Sequence, residues 1–199
     1  MSHESGKTLK VLTRLIIGVL GLTGMVSGFR QIGRGLDEIR GGTENAKLIT
    51  AGDAQVDSAN VAMAASRELL VTLMNDFDKL GLIAARQQDS TEAREAHELY
   101  MQASSHFRIA AKLAGEYSAK DDRAPAKSIW ALKVASYNGY ADFEAINQQI
   151  VDLFRDVSET NPKAVTERLL SLAQTRDSLQ AAAVSAGTQA EAAIAALKK

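Results

Sequence analysis

Residues 49–84 read ITAGDAQVDSANVAMAASRELLVTLMNDFDKLGLIA, and a small or apolar residue recurs every seven positions along this stretch. Positions seven apart return to one face of an α-helix, so the repeat predicts a long helix with one packing stripe. Towards the N-terminus, the same seven-residue spacing continues through glycines into a segment without charged residues. Small residues let helices approach closely in lipid, so the stripe predicts a membrane helix followed by a helical bundle. Its members are Gly21, Gly28, Gly35, Gly42, Ile49, Val56, Met63, Leu70, Phe77 and Ala84.

The composition suits long helices. Of the 199 residues, 46% are hydrophobic and 24% are charged, which is enough for one packed domain and an anchor. Aromatic residues make up 5% of the chain and prolines number 2, so there is little material for sheets. A net charge of −1 argues against general nucleic-acid binding. The chain has no cysteine, which excludes disulfides, thiolate catalysis and zinc–thiolate sites.

The N-terminal part, residues 1–42, is predicted to be a short basic tail, a single membrane-spanning helix and a glycine-rich extension. Residues 15–29 carry no charge, and Arg14 and Arg30 flank them. Fifteen helical residues rise about 22 Å, less than the roughly 30 Å of a hydrocarbon core. The arginines can snorkel outward, so residues 11–32 are expected to contact the bilayer. Two alternatives stay open, a cleaved signal peptide and a core or interfacial helix.

The predicted packing of that segment depends on its glycines. Its predicted orientation in the membrane depends on the basic residues that flank it. Gly21, Gly24 and Gly28 are the candidates for membrane-helix packing, and Gly24 and Gly28 form a Gly-x-x-x-Gly pair. Three basic residues stand on each side of the span, so the positive-inside rule barely favours one orientation. The free amino terminus favours a tail left inside. We expect a single-pass protein of the bacterial inner membrane with its bundle on the extracytoplasmic side.

The remainder, residues 43–199, is predicted to form an all-α, antiparallel, up-down-up-down four-helix bundle. The expected helices cover residues 43–87, 90–119, 124–158 and 161–198. Asp89 and Glu92 have capping-box spacing, and Asn161 before Pro162 is a strong helix start. The short connections predict that consecutive helices lie antiparallel.

Each helix carries a coiled-coil-like heptad seam. The second helix alternates small and aromatic residues, at Ala96, Tyr100, Ala103, Phe107, Ala110, Ala114 and Tyr117. The third is predicted to bury Ile129, Leu132, Tyr140, Phe143, Ile146, Ile150, Phe154 and Val157. The fourth is predicted to bury Val165, Leu169, Leu172, Arg176, Leu179, Ala183, Ala186, Ala190, Ala193 and Leu197.

Four residues are candidates for contact with a partner or ligand. Arg176 interrupts an apolar seam, where a charge is costly unless it snorkels or pairs with a carboxylate of a neighbouring helix. Trp130 is the only tryptophan and is read first as a core or interface anchor. Tyr137 and Tyr140 flank Asn138-Gly139, a dipeptide that predicts a kink or short break in the third helix. Such a break would let the tyrosines line a small polar pocket.

Catalytic chemistry is not visible in the sequence. No nucleophile–base pair, dinucleotide fingerprint or metal set emerges, so no catalytic, cofactor-binding or metal-binding residue is assigned. His97 lies beside Glu95 and Glu98 but off the seam, and a solvated charged face is the expectation there.

One membrane span, a long helix and an antiparallel four-helix bundle resemble the ligand-sensing half of bacterial chemoreceptors and sensor kinases, over roughly residues 10–199. That resemblance implies an extracytoplasmic sensory or ligand-binding bundle, here without a signalling module. The leading hypothesis is a non-enzymatic, membrane-anchored scaffold or accessory subunit. It would act through other protein subunits or self-association, with no nucleic acid and no cofactor. A small-molecule ligand belongs to the sensory alternative.

Overall fold

The structure is a computed structural model that describes residues 46–88, 90–120, 124–156, 158 and 160–197. Throughout this part the chain is all-α and contains no strand, in agreement with the predicted helical bundle. No helix among the described residues is both long enough and apolar enough to cross a membrane. The predicted membrane segment, 11–32 with Gly21, Gly24 and Gly28, lies outside the described residues. The helices are α1 (Ala46–Leu80), α2 (Leu82–Gln88), α3 (Ser90–Lys120), α4 (Ala124–Arg155) and α5 (Pro162–Leu197).

A glycine divides the first predicted helix into α1 and α2. Gly81 has a φ of 83°, a left-handed conformation that glycine adopts without steric cost. Its amide donates to the Phe77 carbonyl (3.1 Å), and its own carbonyl accepts from the Ala85 amide (3.0 Å), so one residue ends α1 and starts α2. The break shifts the register of the stripe. Phe77 is buried, but Ala84 is exposed, contrary to the seven-residue repeat.

The start of α5 follows the expected chemistry. The Asn161 side chain accepts a hydrogen bond from the Lys163 amide (3.0 Å), and Pro162 occupies the first helical position. The end of α4 differs from the prediction, because the helix stops at Arg155. Immediately afterwards the Asp156 carboxylate accepts bonds from the amide and hydroxyl of Ser158, which favours a turn over another helical residue.

The described chain forms two compact units, to which α1, α3, α4 and α5 each contribute a segment. Unit 1 contains Ala62–Gln102 and Phe143–Ser178. Phe77 and Phe154 meet edge to face in its core, with ring centroids 5.8 Å apart. The Arg86 guanidinium of α2 donates to the Leu153 carbonyl of α4 at 2.6 and 3.2 Å, which attaches the short helix to the unit. The larger side chains of this core are Leu70, Leu73, Met74, Phe77, Leu82, Ile150, Val151, Phe154, Val165, Leu169 and Leu172.

Unit 2 contains, among the described residues, 46–61, 103–120, 124–142 and 179–197. Its aromatic side chains pack in pairs from α3 and α4. Phe107 stacks on Tyr140 with ring centroids 5.4 Å apart, and Tyr117 contacts Trp130 at 4.4 Å. The seven predicted seam residues of α3 are all buried, from Ala96 in unit 1 to Tyr117 in unit 2.

The buried face of α4 agrees with the predicted one only in part: Ile129, Tyr140, Phe143, Ile150 and Phe154 are buried as predicted, and Val157 lies outside the described residues. Two of the apolar residues predicted to be buried, Leu132 and Ile146, are only partly buried. The seam that keeps a 3–4 spacing throughout is not an apolar stripe, because one lysine, one glutamate, one asparagine and two tyrosines occupy five of its eight positions. Its members are Trp130, Lys133, Tyr137, Tyr140, Glu144, Asn147, Val151 and Phe154, all buried.

The Asn138-Gly139 dipeptide does not break α4, so the short break predicted there is wrong. Gly139 instead allows close contact with α5 in unit 2. A Cβ atom at this position would lie 2.8 Å from the Ala183 Cβ and 3.2 Å from its Cα. The glycine is therefore explained by helix packing, since any side chain would collide with the neighbouring helix.

Candidate functional site

Unit 1 contains a cluster of buried polar side chains at the centre of its helices. α1 contributes Ser66 and Arg67, α3 contributes Tyr100, α4 contributes Glu144 and Asn147, and α5 contributes Arg176. Five of them are buried, and Arg67 is partly buried. These six residues are the unit 1 polar cluster. Each of the four long helices therefore supplies at least one member of this cluster.

Glu144 is the most unusual member of the unit 1 polar cluster. Its side chain is 0% exposed, and burial raises the pKa of its carboxyl to about 8. Three partners oppose that shift, namely the Asn147 side chain, Arg67 and Arg176. The Asn147 Nδ2 donates to Glu144 Oε2 at 3.2 Å. Desolvation outweighs these partners, so Glu144 is mostly protonated at pH 7.

Arg176 is also fully buried, as its seam position predicts. Its Nε and Nη2 donate to Asp177 Oδ1 at 3.2 and 2.7 Å. The expectation for this arginine was that it snorkels or pairs with a carboxylate of a neighbouring helix, and the pair with Asp177 joins it to the next residue of α5. The Asp177 side chain is 45% exposed, so the pair links the core to solvent. Arg176 also acts electrostatically on Glu144 and on Tyr100.

Tyr100 completes the centre of the unit 1 polar cluster. Burial raises the pKa of its hydroxyl, and the neighbouring Glu144 raises it further. A hydrogen bond with Ser66, together with Arg176 and Arg67, acts in the opposite direction. The Ser66 hydroxyl donates in turn to the Met63 carbonyl at 3.0 Å. The phenol therefore stays protonated and neutral in the core.

Three side-chain atoms in this cluster are buried without a hydrogen-bond partner. They are Glu144 Oε1, Asn147 Oδ1 and Arg67 Nη2. A buried polar atom left unpaired costs roughly 1–3 kcal/mol. The three atoms offer both donor and acceptor capacity, which a proton, a water molecule or a small polar molecule could satisfy.

His97 does not lie on a freely solvated face, contrary to expectation. Its Nδ1 lies 2.7 Å from Asp152 Oδ1, and its Nε2 lies 3.3 Å from Gln148 Nε2. These contacts join α3 to α4 in unit 1, and the histidine side chain is 20% exposed. His97 is therefore a bridge between helices. Among the described residues, no three histidine, aspartate or glutamate side chains come together in a way that could hold a metal ion.

Unit 2 contains a second buried polar cluster, of different composition. The Lys133 side chain is only 3% exposed, and its Nζ lies 3.9 Å from Glu191 Oε1, whose side chain is 44% exposed. Burial lowers the pKa of Lys133, while Glu191 raises it. The Ser136 hydroxyl donates to the Ala183 carbonyl at 2.9 Å. We define the unit 2 polar cluster as Asp53, Lys133, Ser136, Tyr137, Tyr140 and Glu191.

The candidate residues from the sequence are placed in different units. Trp130, Tyr137 and Tyr140 are buried in unit 2, and Arg176 is buried in unit 1. Burial raises the pKa of Tyr137, helped by Asp53 and Glu191, and raises the pKa of Tyr140 to about 12. Trp130 packs against Tyr117, consistent with a core anchor.

Four important positions were missed, namely Lys133, Ser136, Glu144 and Asn147. For Lys133, Glu144 and Asn147 the signal was present in the sequence as an unbroken 3–4 spacing from Trp130 through Phe154, whereas Ser136 lies off that spacing. The predicted apolar stripe of the third helix does not follow this spacing, because polar residues occupy several of its positions.

Comparison with known proteins gives no family assignment. No protein-family model matches the chain, and neither a curated protein nor a solved structure matches it significantly.

Proposed function

We propose that this chain is a non-enzymatic sensory or ligand-binding helical bundle. In this proposal its four long helices run up-down-up-down, and residues 11–32 anchor it in a membrane with the bundle on the extracytoplasmic side. The observation that supports binding is the unit 1 polar cluster, with three buried atoms that lack partners. Such a core costs stability compared with an apolar one, and a binding role accounts for that cost.

The ligand class follows from the chemistry of the unpaired atoms. Glu144 in its protonated form offers one donor, Asn147 Oδ1 accepts, and Arg67 Nη2 donates. A small polar molecule with both donor and acceptor groups complements this set. The nearby guanidinium groups of Arg67 and Arg176 favour a guest with partial or full negative charge.

Replacement of Arg176 by leucine tests the proposed sensory function. The full chain is extracted in mild detergent, native mass spectrometry records any retained small molecule, and thermal melting is followed with a set of small polar compounds. We expect a compound that raises the melting temperature of the wild type but not of Arg176→Leu. Glu98→Gln is the control, because Glu98 is exposed in the same unit. A more stable Arg176→Leu protein with unchanged binding would contradict the proposal.

A second function, that of a scaffold or accessory subunit, draws on exposed apolar side chains. Leu80 and Ile83 stand on either side of Gly81 and are 46% and 59% exposed. Large apolar residues at a helix break are suited to contact with another protein subunit or another copy of the chain. Under this function, a stoichiometric partner should co-purify with the wild type and be lost from the Leu80→Ser, Ile83→Ser double variant. Val61→Ser, at a site 71% exposed, is the matched control. Equal recovery of the partner from all three proteins would count against this surface.

Both functions assume an anchored chain, which is tested separately. Replacement of Gly24 and Gly28 by isoleucine should weaken association between subunits in detergent, because larger side chains keep membrane helices apart. Unchanged oligomer size would contradict packing through these glycines. Protease protection in sealed vesicles tests the proposed extracytoplasmic location of residues 43–199.

A further inference from the structure

Glu144 combines a titratable carboxyl with a position in the packed core of unit 1. The carboxyl is completely buried in unit 1, Asn147 donates to Oε2, and Oε1 has no hydrogen-bond partner. A carboxylate in this position would bury a charge with one oxygen unsolvated. A carboxylic acid is neutral, and its proton supplies a donor that can turn toward a neighbouring acceptor.

The groups that act on Glu144 come from each long helix of the unit. The guanidinium groups of Arg67 on α1 and Arg176 on α5 both lower the pKa of Glu144, and Asp177 pairs with Arg176. Tyr100 on α3 keeps its proton because burial raises its pKa, and Asn147 on α4 does not titrate. Within this cluster, Glu144 is therefore the residue that changes charge near neutral pH.

We propose that Glu144 is a proton-binding site that controls the packing of unit 1. The four helical segments pack tightly while the carboxyl carries its proton. Loss of the proton to water leaves a carboxylate that is better stabilised when the segments separate and water enters. The inference rests on the same cluster as the proposed sensory function, but it concerns a proton instead of a small molecule.

The size of the response follows from linkage. Below pH 4.5 both packed and opened states hold the proton, so opening does not depend on pH. Between that value and pH 8, opening releases one proton, and its equilibrium constant rises tenfold for each pH unit. Because pH 5 and pH 8 each lie close to one of the two pKa values, the constant should rise about four-hundredfold between them and then level off.

Hydrogen–deuterium exchange on the full chain in detergent measures this opening. Exchange rates of backbone amides in 90–102 and 143–155 are divided by their intrinsic rates at each pH. We expect the opening constant of the wild type to follow the predicted rise and that of Glu144→Gln to stay nearly flat. Glu98→Gln removes an exposed carboxyl from unit 1 and should behave as the wild type. Contributions from His97 and Asp152 are common to all three proteins and cancel in the comparison.

The inference is overturned if Glu144→Gln keeps the pH response of the wild type. Isotope-edited infrared spectroscopy of the wild type gives a second test that does not depend on the variant's folding. It should show a protonated carboxyl at pH 7 that disappears above pH 8, and complete ionisation at pH 6 would also overturn the inference. A pH response without any bound compound would separate this proton site from the proposed small-molecule function. Compound binding without a pH response would support the proposed small-molecule function and overturn the proton site.

Discussion

The two units place ionisable groups in their cores in different ways. In unit 2, Lys133 is buried but faces Glu191, whose half-exposed side chain keeps contact with water. In unit 1, Glu144 is buried completely and burial keeps it mostly neutral. Both residues belong to one seam of α4, eleven positions apart along the sequence. α4 therefore carries both Lys133, whose pKa is lowered by burial, and Glu144, whose pKa is raised by burial.

This difference predicts opposite responses to pH. The pKa of Glu144 is about 8 in the folded state and near 4.5 when unfolded, so its contribution to stability is complete below pH 4.5 and is lost by pH 8. The loss is at most about 5 kcal/mol, counted at 1.36 kcal/mol per unit of pKa. Lys133 has a folded pKa below its unfolded value of 10.5. Its penalty is therefore present at low pH and disappears as the pH rises toward 10.5.

The largest effect in the unit 2 core should come from packing and not from charge. Gly139→Val would place a Cβ 2.8 Å from the Ala183 Cβ, with two further methyl groups beyond it. Neither α4 nor α5 can yield at this point without a backbone shift, so we expect a loss of about 3 kcal/mol in unfolding free energy. Urea unfolding followed by circular dichroism measures it.

Gly115→Ala is the control for that substitution. A Cβ at Gly115 would lie 4.0 Å from Val134 Cγ2, an ordinary contact. The alanine should stabilise the helix by about 0.5–1 kcal/mol, because glycine has the poorer helix propensity. Equal effects of the two substitutions would show that close approach at Gly139 has no special cost.

The sequence predicted the elements better than it predicted their polar cores. The α3 seam and the Asn161 cap could be read directly, because apolar spacing and capping chemistry are local signals. Glycine is a residue type that interrupts helices, but the helical spacing of apolar residues continues on both sides of Gly81. The role of Gly139 depends on the approach of Ala183, a residue distant in sequence.

The polar seam of α4 was missed for a physical reason. Periodicity reasoning assumes that buried positions are apolar, and Lys133, Glu144 and Asn147 violate this assumption. Arg176 was singled out only because leucines surround it on α5. The partners of these residues belong to other helices, so their pairing requires the fold.

A substitution with an intermediate effect on stability should distinguish the buried Lys133 from the buried Glu144. Lys133→Met removes a charge whose burial is unfavourable and leaves Glu191 able to meet water. We expect about 1–2 kcal/mol of added stability at pH 7. The gain should shrink as the pH rises toward 10.5, the reverse of the trend for Glu144→Gln. Urea unfolding at a series of pH values measures it.

Lys112→Met is the control for the buried lysine. Lys112 lies in the same unit but is 78% exposed, and it contacts Glu116 at 4.0 Å. Its replacement should change stability by less than about 0.5 kcal/mol at any pH. If Lys133→Met is neutral or destabilising throughout, the Lys133–Glu191 attraction outweighs burial, and the contrast between the units is lost.

The smallest effect concerns polar contacts that keep access to water. Asp152→Asn in unit 1 weakens the 2.7 Å contact with His97 and the 2.9 Å contact with Arg155. The side chains involved are 20–43% exposed, so solvent compensates for part of the loss and about 0.5–1 kcal/mol should disappear. Asp142→Asn in unit 2 breaks a more exposed pair with Arg108 and should cost still less. Urea unfolding at pH 7 compares the two. If the two substitutions cost the same, the depth of a polar contact would not matter. A larger cost for Asp152→Asn would show that the contribution of a polar contact grows with its burial.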